Sequence, residues 1–215
     1  MQVFIFVTAG WVFSVCLHEF GHAFVAYKGG DYTVRDKGYL TLNPIHYTDP
    51  FYSLVLPLIF LFMGGIGLPG GAVYINDHLL HSKGWRTGVS LAGPAMNLVL
   101  AVALCAPFWL GLIDMRFAPA LAFLIELQLC AVLFNLIPIP PLDGFRALSP
   151  WLPQDVTERV LQQSNVLIWV LFLAMWYVQP LNFAFWSIVG LGMSFLGVDS
   201  QLARMGWSEF QFWKH

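Results

Sequence analysis

Val3-Phe-Ile-Phe-Val-Thr-Ala-Gly-Trp-Val-Phe-Ser-Val-Cys-Leu-His18-Glu19-Phe-Gly-His22-Ala-Phe-Val-Ala-Tyr27 is an apolar run with two histidines and a glutamate in its second half. A ~30 Å hydrocarbon core takes about 20 apolar residues of helix, so the run reads as a membrane span interrupted only at 18–22. On a helix, residues i and i+4 share a face, and both imidazoles then reach a single ion. Glu19 projects beside them, placed to take a proton from a metal-bound water. Each ionisable group at membrane depth costs roughly a few kcal/mol unless it is paired or coordinated. The plain alternative is a hydrogen-bonded His/Glu cluster that glues helices together, but an intramembrane ionisable residue is a functional site by default. Residues 1–17 carry no basic leader region and no small-residue cleavage site, so the segment is read as a retained span.

The rest of the chain agrees with a membrane protein. Of 215 residues, 58% are hydrophobic and 10% charged, with a mean hydropathy of +0.69; a soluble domain is about 25% charged. A net charge of −2 with no basic run argues against a nucleic-acid partner. The length suits one membrane-embedded domain, residues 1–215. Cys16, Cys105 and Cys130 all sit in apolar stretches at spacings that fit neither a disulfide framework nor a cysteine zinc cluster, and read as small buried hydrophobes.

Val89–Leu112 and Ala118–Ile137, the latter with Glu126 inside it, are further spans. Val166–Val198 is longer than one straight crossing and is divided at Gln179-Pro180, which predicts one span plus an interfacial or re-entrant piece. Phe51–Leu68 ends in a Gly-rich tail with Pro69, so it is either a full span or a re-entrant helix. With the N-terminus outside, a re-entrant 51–68 places seven of the ten basic residues on the inner side, against six for a full crossing. Asp31–Leu42 alternates β-formers around Asp36-Lys37-Gly38 and predicts a hairpin. The expected fold is an all-α polytopic membrane protein. It has four to five transmembrane helices, four full spans being preferred, plus a re-entrant element and a short β-hairpin near the site.

Catalytic zinc typically has three protein ligands and an open position, so a third must come from elsewhere. His46, His78, His81 and His215 lie in loops or at the terminus. Among carboxylates Asp143 stands out, following Asn135-Leu-Ile-Pro-Ile-Pro-Pro-Leu directly after an apolar span, although Asp143-Gly144 alone reads as an ordinary turn. Glu126, with Gln128 nearby, is the other intramembrane ionisable residue and could line a water path or pair within the bundle.

Three separated motifs, His18-Glu-Phe-Gly-His22, Ala92-Gly-Pro-Ala-Met-Asn97 and Asn135-Leu-Ile-Pro-Ile-Pro-Pro-Leu-Asp143-Gly144, resemble those of the site-2 proteases, which are intramembrane zinc metalloproteases. Leu40-Thr-Leu-Asn-Pro-Ile-His-Tyr-Thr-Asp-Pro50 is similar to their small bacterial branch without a PDZ domain. The resemblance covers about 12–148 and leaves the C-terminal span and tail, 166–215, outside it. It departs from the branch at Ala72-Val-Tyr-Ile-Asn76, where relatives often carry Lys-Pro before Val-Pro-Val-Asn.

The resemblance implies one Zn²⁺ per chain held by His18, His22 and Asp143, with Glu19 as catalytic base. Asn97 and Asn135 would steady substrate or oxyanion, or else simply bond helices together. The implied function is an intramembrane zinc metalloendopeptidase acting on transmembrane segments of membrane proteins. It would sit in a bacterial cytoplasmic membrane, with its site open to the cytoplasm and the lipid bilayer as its surroundings. A catalytically silent membrane protein of the same fold that binds transmembrane segments is the alternative, and Glu19 counts against it, since a binding module needs no general base. A metal transporter would usually show paired repeats, and the sequence has none. His22 and Asp143 must meet one ion, and a full crossing at 51–68 would put them on opposite sides. That favours the re-entrant reading.

Overall fold

In the computed structural model, which describes residues 1–43 and 73–214, every regular element is helical. Three long helices form the frame: α1 (Gln2–Lys28), with the short α2 (Thr33–Asp36) after it, then α3 (Lys83–Trp109) and α4 (Ala118–Asn135). At 1.5 Å per residue, the 27 residues of α1 and of α3 give helices about 40 Å long, enough to span the hydrocarbon and emerge from it. Ser82 starts α3 by accepting a hydrogen bond from the Trp85 N–H. Pro119 sits in the first turn of α4, where its missing N–H costs nothing.

These helices pack antiparallel in sequence. A β-carbon on Gly21 of α1 would press on Met96 and the Ala92 carbonyl of α3, and one on Gly29 would press on Trp85. Rising numbers on α1 therefore meet falling numbers on α3, and Lys28 and Lys83 end up at the same end of the bundle. The turn of α3 into α4 is antiparallel too, with Ala101 and Cys105 in one apolar cluster with Leu121, Ala122 and Ile125. In α4, 78% of the apolar window is buried, against 39% in α1 and in α3. It is the central helix, as an all-round apolar sequence requires.

Beyond it lie α5 (Asp143–Leu148), α6 (Gln154–Gln162), α7 (Ser164–Tyr177), α8 (Gln179–Phe195) and α9 (Ser200–Phe210). The long apolar run breaks at Val178, next to the expected Gln179-Pro180 division. Three described helices are long and apolar enough to cross a membrane, or up to five if the bent pairs α6–α7 (67°) and α8–α9 (114°) each count as a span. The α9 helix lies close along α4, with Gly206 against the Pro119 carbonyl and Phe210 against Phe123.

The hairpin expected at 31–42 is not formed: among the described residues there is no strand. Asp31, fully buried, accepts from both the N–H and the hydroxyl of Thr33 and so starts the helical turn α2. Gly38, at φ +76, ends that turn, and the Tyr39 N–H closes on the Val34 carbonyl. The same Asp-Lys-Gly signal serves a hairpin turn and a glycine-terminated helical turn, and the carboxylate upstream decides between them. The re-entrant element expected at 51–68 and the loop residue His46 lie outside the described residues, as does His215.

Candidate metal centre

The metal-ligand pattern of α1 is brought into contact with the start of α5. His18 Nε2 lies 3.2 Å and His22 Nε2 3.4 Å from the same Asp143 oxygen, and the two Nε2 atoms are 3.0 Å apart. All three residues are buried, at 4%, 6% and 7% exposure. Among the described residues this is the one group of three or more such side chains that could hold a metal ion. His78 and His81 are exposed and stay outside it; His81 meets the Trp85 ring edge-on.

The donor atoms fit zinc. Four ligands at about 2.0–2.1 Å in a tetrahedron stand about 3.3 Å from one another, and the observed edges of 3.0, 3.2 and 3.4 Å bracket that spacing. The outer nitrogens support the same conclusion. His22 Nδ1 is 2.6 Å from the Val89 carbonyl, which can only accept, so the proton sits on Nδ1 and the Nε2 lone pair faces the centre. His18 Nδ1 is likewise 2.6 Å from Asn97 Oδ1. Two imidazole lone pairs and a carboxylate oxygen thus converge on one point, an arrangement that calls for a cation.

Each of the three side chains has a structural support that the motifs alone do not show. Gly93, on α3, leaves the space that the imidazoles fill: a β-carbon there would collide with Nε2 of both histidines. Gly144 lets the chain turn tightly after 136–142, since a β-carbon would strike the Leu136 carbonyl. Thr87 ties α5 to the first turns of α3, its hydroxyl donating to the Ala147 carbonyl at 2.8 Å while it accepts from Trp151 Nε1 at 2.9 Å. Asp143 is therefore held from α3 as well as from its own loop.

Glu19 is 2% exposed, and its Oε2 accepts the Val73 N–H at 3.3 Å. Beside it lies a cavity of about 10 Å³ bordered by His18, Asn97, Ser14 and Ala131, close to the room one water needs. Of the two asparagines, Asn97 is brought to His18. Asn135 is buried at the end of α4, and its Nδ2 makes no hydrogen bond among the described residues. Sequence reasoning named Gln128 without a role. It is fully buried and accepts from Asn97 Nδ2 at 2.8 Å, whereas Glu126, about 200° around the helix, is only half-buried.

This chain is 45% identical over 218 residues to the protein named "Putative zinc metalloprotease Rip2" of Mycolicibacterium smegmatis, an alignment that takes in 98% of this chain and 82% of that protein. The protein of the same name from Mycobacterium tuberculosis is 45% identical over 214 residues, with the same coverage. "Putative zinc metalloprotease YwhC" of Bacillus subtilis is 33% identical over 198 residues, covering 84% of each chain. No family model matches the chain, and no solved structure does.

Proposed function

Because the chain belongs to the site-2 protease family of zinc metalloproteases, we propose that it is a membrane-embedded zinc endopeptidase hydrolysing peptide bonds in or next to transmembrane segments of membrane proteins. The observation that supports this most is the convergence of His18, His22 and Asp143 on one point, with Glu19 buried on the adjoining position of α1. Zinc held there supplies Lewis acidity, lowering the pKa of a water and polarising a carbonyl oxygen. The chain's own residues do the rest. Hydrogen bonds to Asn97 and to the Val89 carbonyl hold the two imidazoles in the tautomer that leaves Nε2 free. The Glu19 carboxylate accepts the proton of the attacking water and passes it to the departing amine. Asn135 Nδ2, a buried donor with no partner among the described residues, is assigned to the substrate carbonyl as negative charge develops on it.

The centre's depth supports a substrate within the membrane. His22 and His18 lie six and ten residues before Lys28, the last residue of α1, or about 9 and 15 Å along the helix. A helical substrate hides its carbonyls in hydrogen bonds and must unwind locally to present one. Lys28, Lys83 and Arg86 gather at the end nearest the centre, which by the positive-inside rule faces the cytoplasm of a bacterial inner membrane.

The test compares zinc content and cleavage of a transmembrane substrate in liposomes for wild type and Glu19→Gln. Both should hold about one zinc, with the variant cutting at least about 100-fold more slowly. Equal cleavage by the two removes Glu19 from the chemistry. A metal-free wild type removes the centre.

A further inference from the structure

Behind His18 three buried polar links stand in series, all oriented by their far end. His18 Nδ1 faces Asn97 Oδ1 at 2.6 Å, Asn97 Nδ2 donates to Gln128 Oε1 at 2.8 Å, and Gln128 Nε2 donates to the Leu124 carbonyl at 3.4 Å. Asn97 and Gln128 are 4% and 0% exposed, so no bulk water can substitute for a misdirected partner. The Leu124 carbonyl can only accept, so the amide nitrogen of Gln128 turns toward it and Oε1 toward Asn97. Asn97 must then present its nitrogen to Gln128, which leaves Oδ1 for His18. An oxygen there puts the imidazole proton on Nδ1 and keeps the Nε2 lone pair directed at His22 Nε2 and Asp143.

We propose that Gln128 is a positioning residue of the metal centre: through Asn97 it fixes the His18 tautomer and so makes that histidine a ligand. The proposal rests on the zinc reading above. The two histidines differ in their need for such a device. A backbone carbonyl, which cannot flip, faces His22 Nδ1. His18 instead faces a side-chain amide whose two ends differ little in shape and are opposite in hydrogen bonding. A flipped Asn97 would offer N–H to Nδ1 and drive the imidazole proton onto Nε2, into the space meant for metal. Gln128 is the residue that prevents the flip. An ordinary bond between helices would affect stability and leave the affinity of folded protein for zinc alone.

The experiment uses the full chain in detergent, with zinc affinity measured by competition against a chelator. Histidine ¹⁵N resonances of the zinc-free protein report the tautomer, the His18 signal being identified by its loss in His18→Gln. Wild type should carry its proton on Nδ1 of His18. Gln128→Met, which lacks the acceptor, should bind zinc about 10–100-fold more weakly and shift His18 toward the Nε2–H form. Gln128→Glu keeps an acceptor in either protonation state and should stay close to wild type in both readouts. The proposal is overturned if Gln128→Met binds zinc as tightly as wild type, or if Gln128→Glu falls as far as Gln128→Met. It is also overturned by a His18 of wild type that carries no proton on Nδ1, a measurement that stands even where a variant does not fold. A wild type with the expected tautomer that takes up no zinc instead overturns the metal-centre reading, leaving no centre for Gln128 to serve.

Discussion

At Gly93, a single methyl group would have to occupy the space of Nε2 of both histidines. Gly93→Ala is therefore expected to leave the helices in place while pushing the imidazoles apart. Zinc content of the purified protein should fall at least about tenfold with helical circular dichroism unchanged; full zinc occupancy would show that the site can yield. The three ligands must all be free of protons at the metal, so metal affinity falls as pH falls. Equilibrium dialysis across an acid series should show zinc affinity only decreasing as pH is lowered.

Among elements, the shortest are the ones that carry the geometry. The six-residue α5 holds Asp143 against α1 only because it is also fastened to α3 by Thr87. Thr87→Val preserves shape and removes both bonds. It should weaken zinc binding measurably and lower stability by about 1 kcal/mol, chiefly because the Ala147 carbonyl loses its partner; unchanged zinc affinity would mean the 136–142 loop alone places Asp143. The turn α2 depends on Asp31 in a similar way. Its carboxylate accepts from Thr33 and also from the Asn76 N–H at 2.7 Å, which anchors the segment whose Val73 N–H reaches Glu19. Asp31→Ala should lower the melting temperature of the detergent-solubilised protein through three lost bonds to a fully buried acceptor.

For the molecule as a whole, the antiparallel frame gathers the Lys28 end of α1, the Lys83 end of α3 and Asp143 of α5 at one end of the bundle. Arg116 lies in the turn between α3 and α4, at the other. Lys83→Cys and Arg116→Cys should therefore be labelled by a membrane-impermeant maleimide from opposite sides, Lys83→Cys from the cytoplasmic side. The native cysteines Cys16, Cys105 and Cys130 are all buried and give little background. Labelling of both from one side would contradict the frame.

The sequence by itself determined which helices are apolar, where α1 and α4 begin and end to within a few residues, and that His18, Glu19 and His22 share one helical face. These are properties of period, composition and capping, and they act within a few turns of the chain. Asp143 was legible only through resemblance, because Asp-Gly after prolines is equally an ordinary turn. The tertiary structure decided what depends on partners far away in the chain. It set the Asp143 oxygen 3.2 and 3.4 Å from the two imidazoles, and it gave Gly93 its purpose by placing α1 against it. It turned the Asp31–Leu42 alternation into a helical turn, because a buried carboxylate took up the backbone donors first. It separated Gln128 from Glu126, two residues apart in sequence, by turning one toward Asn97 and leaving the other half-exposed. Local pattern sets which atoms a residue offers, and packing sets what those atoms meet.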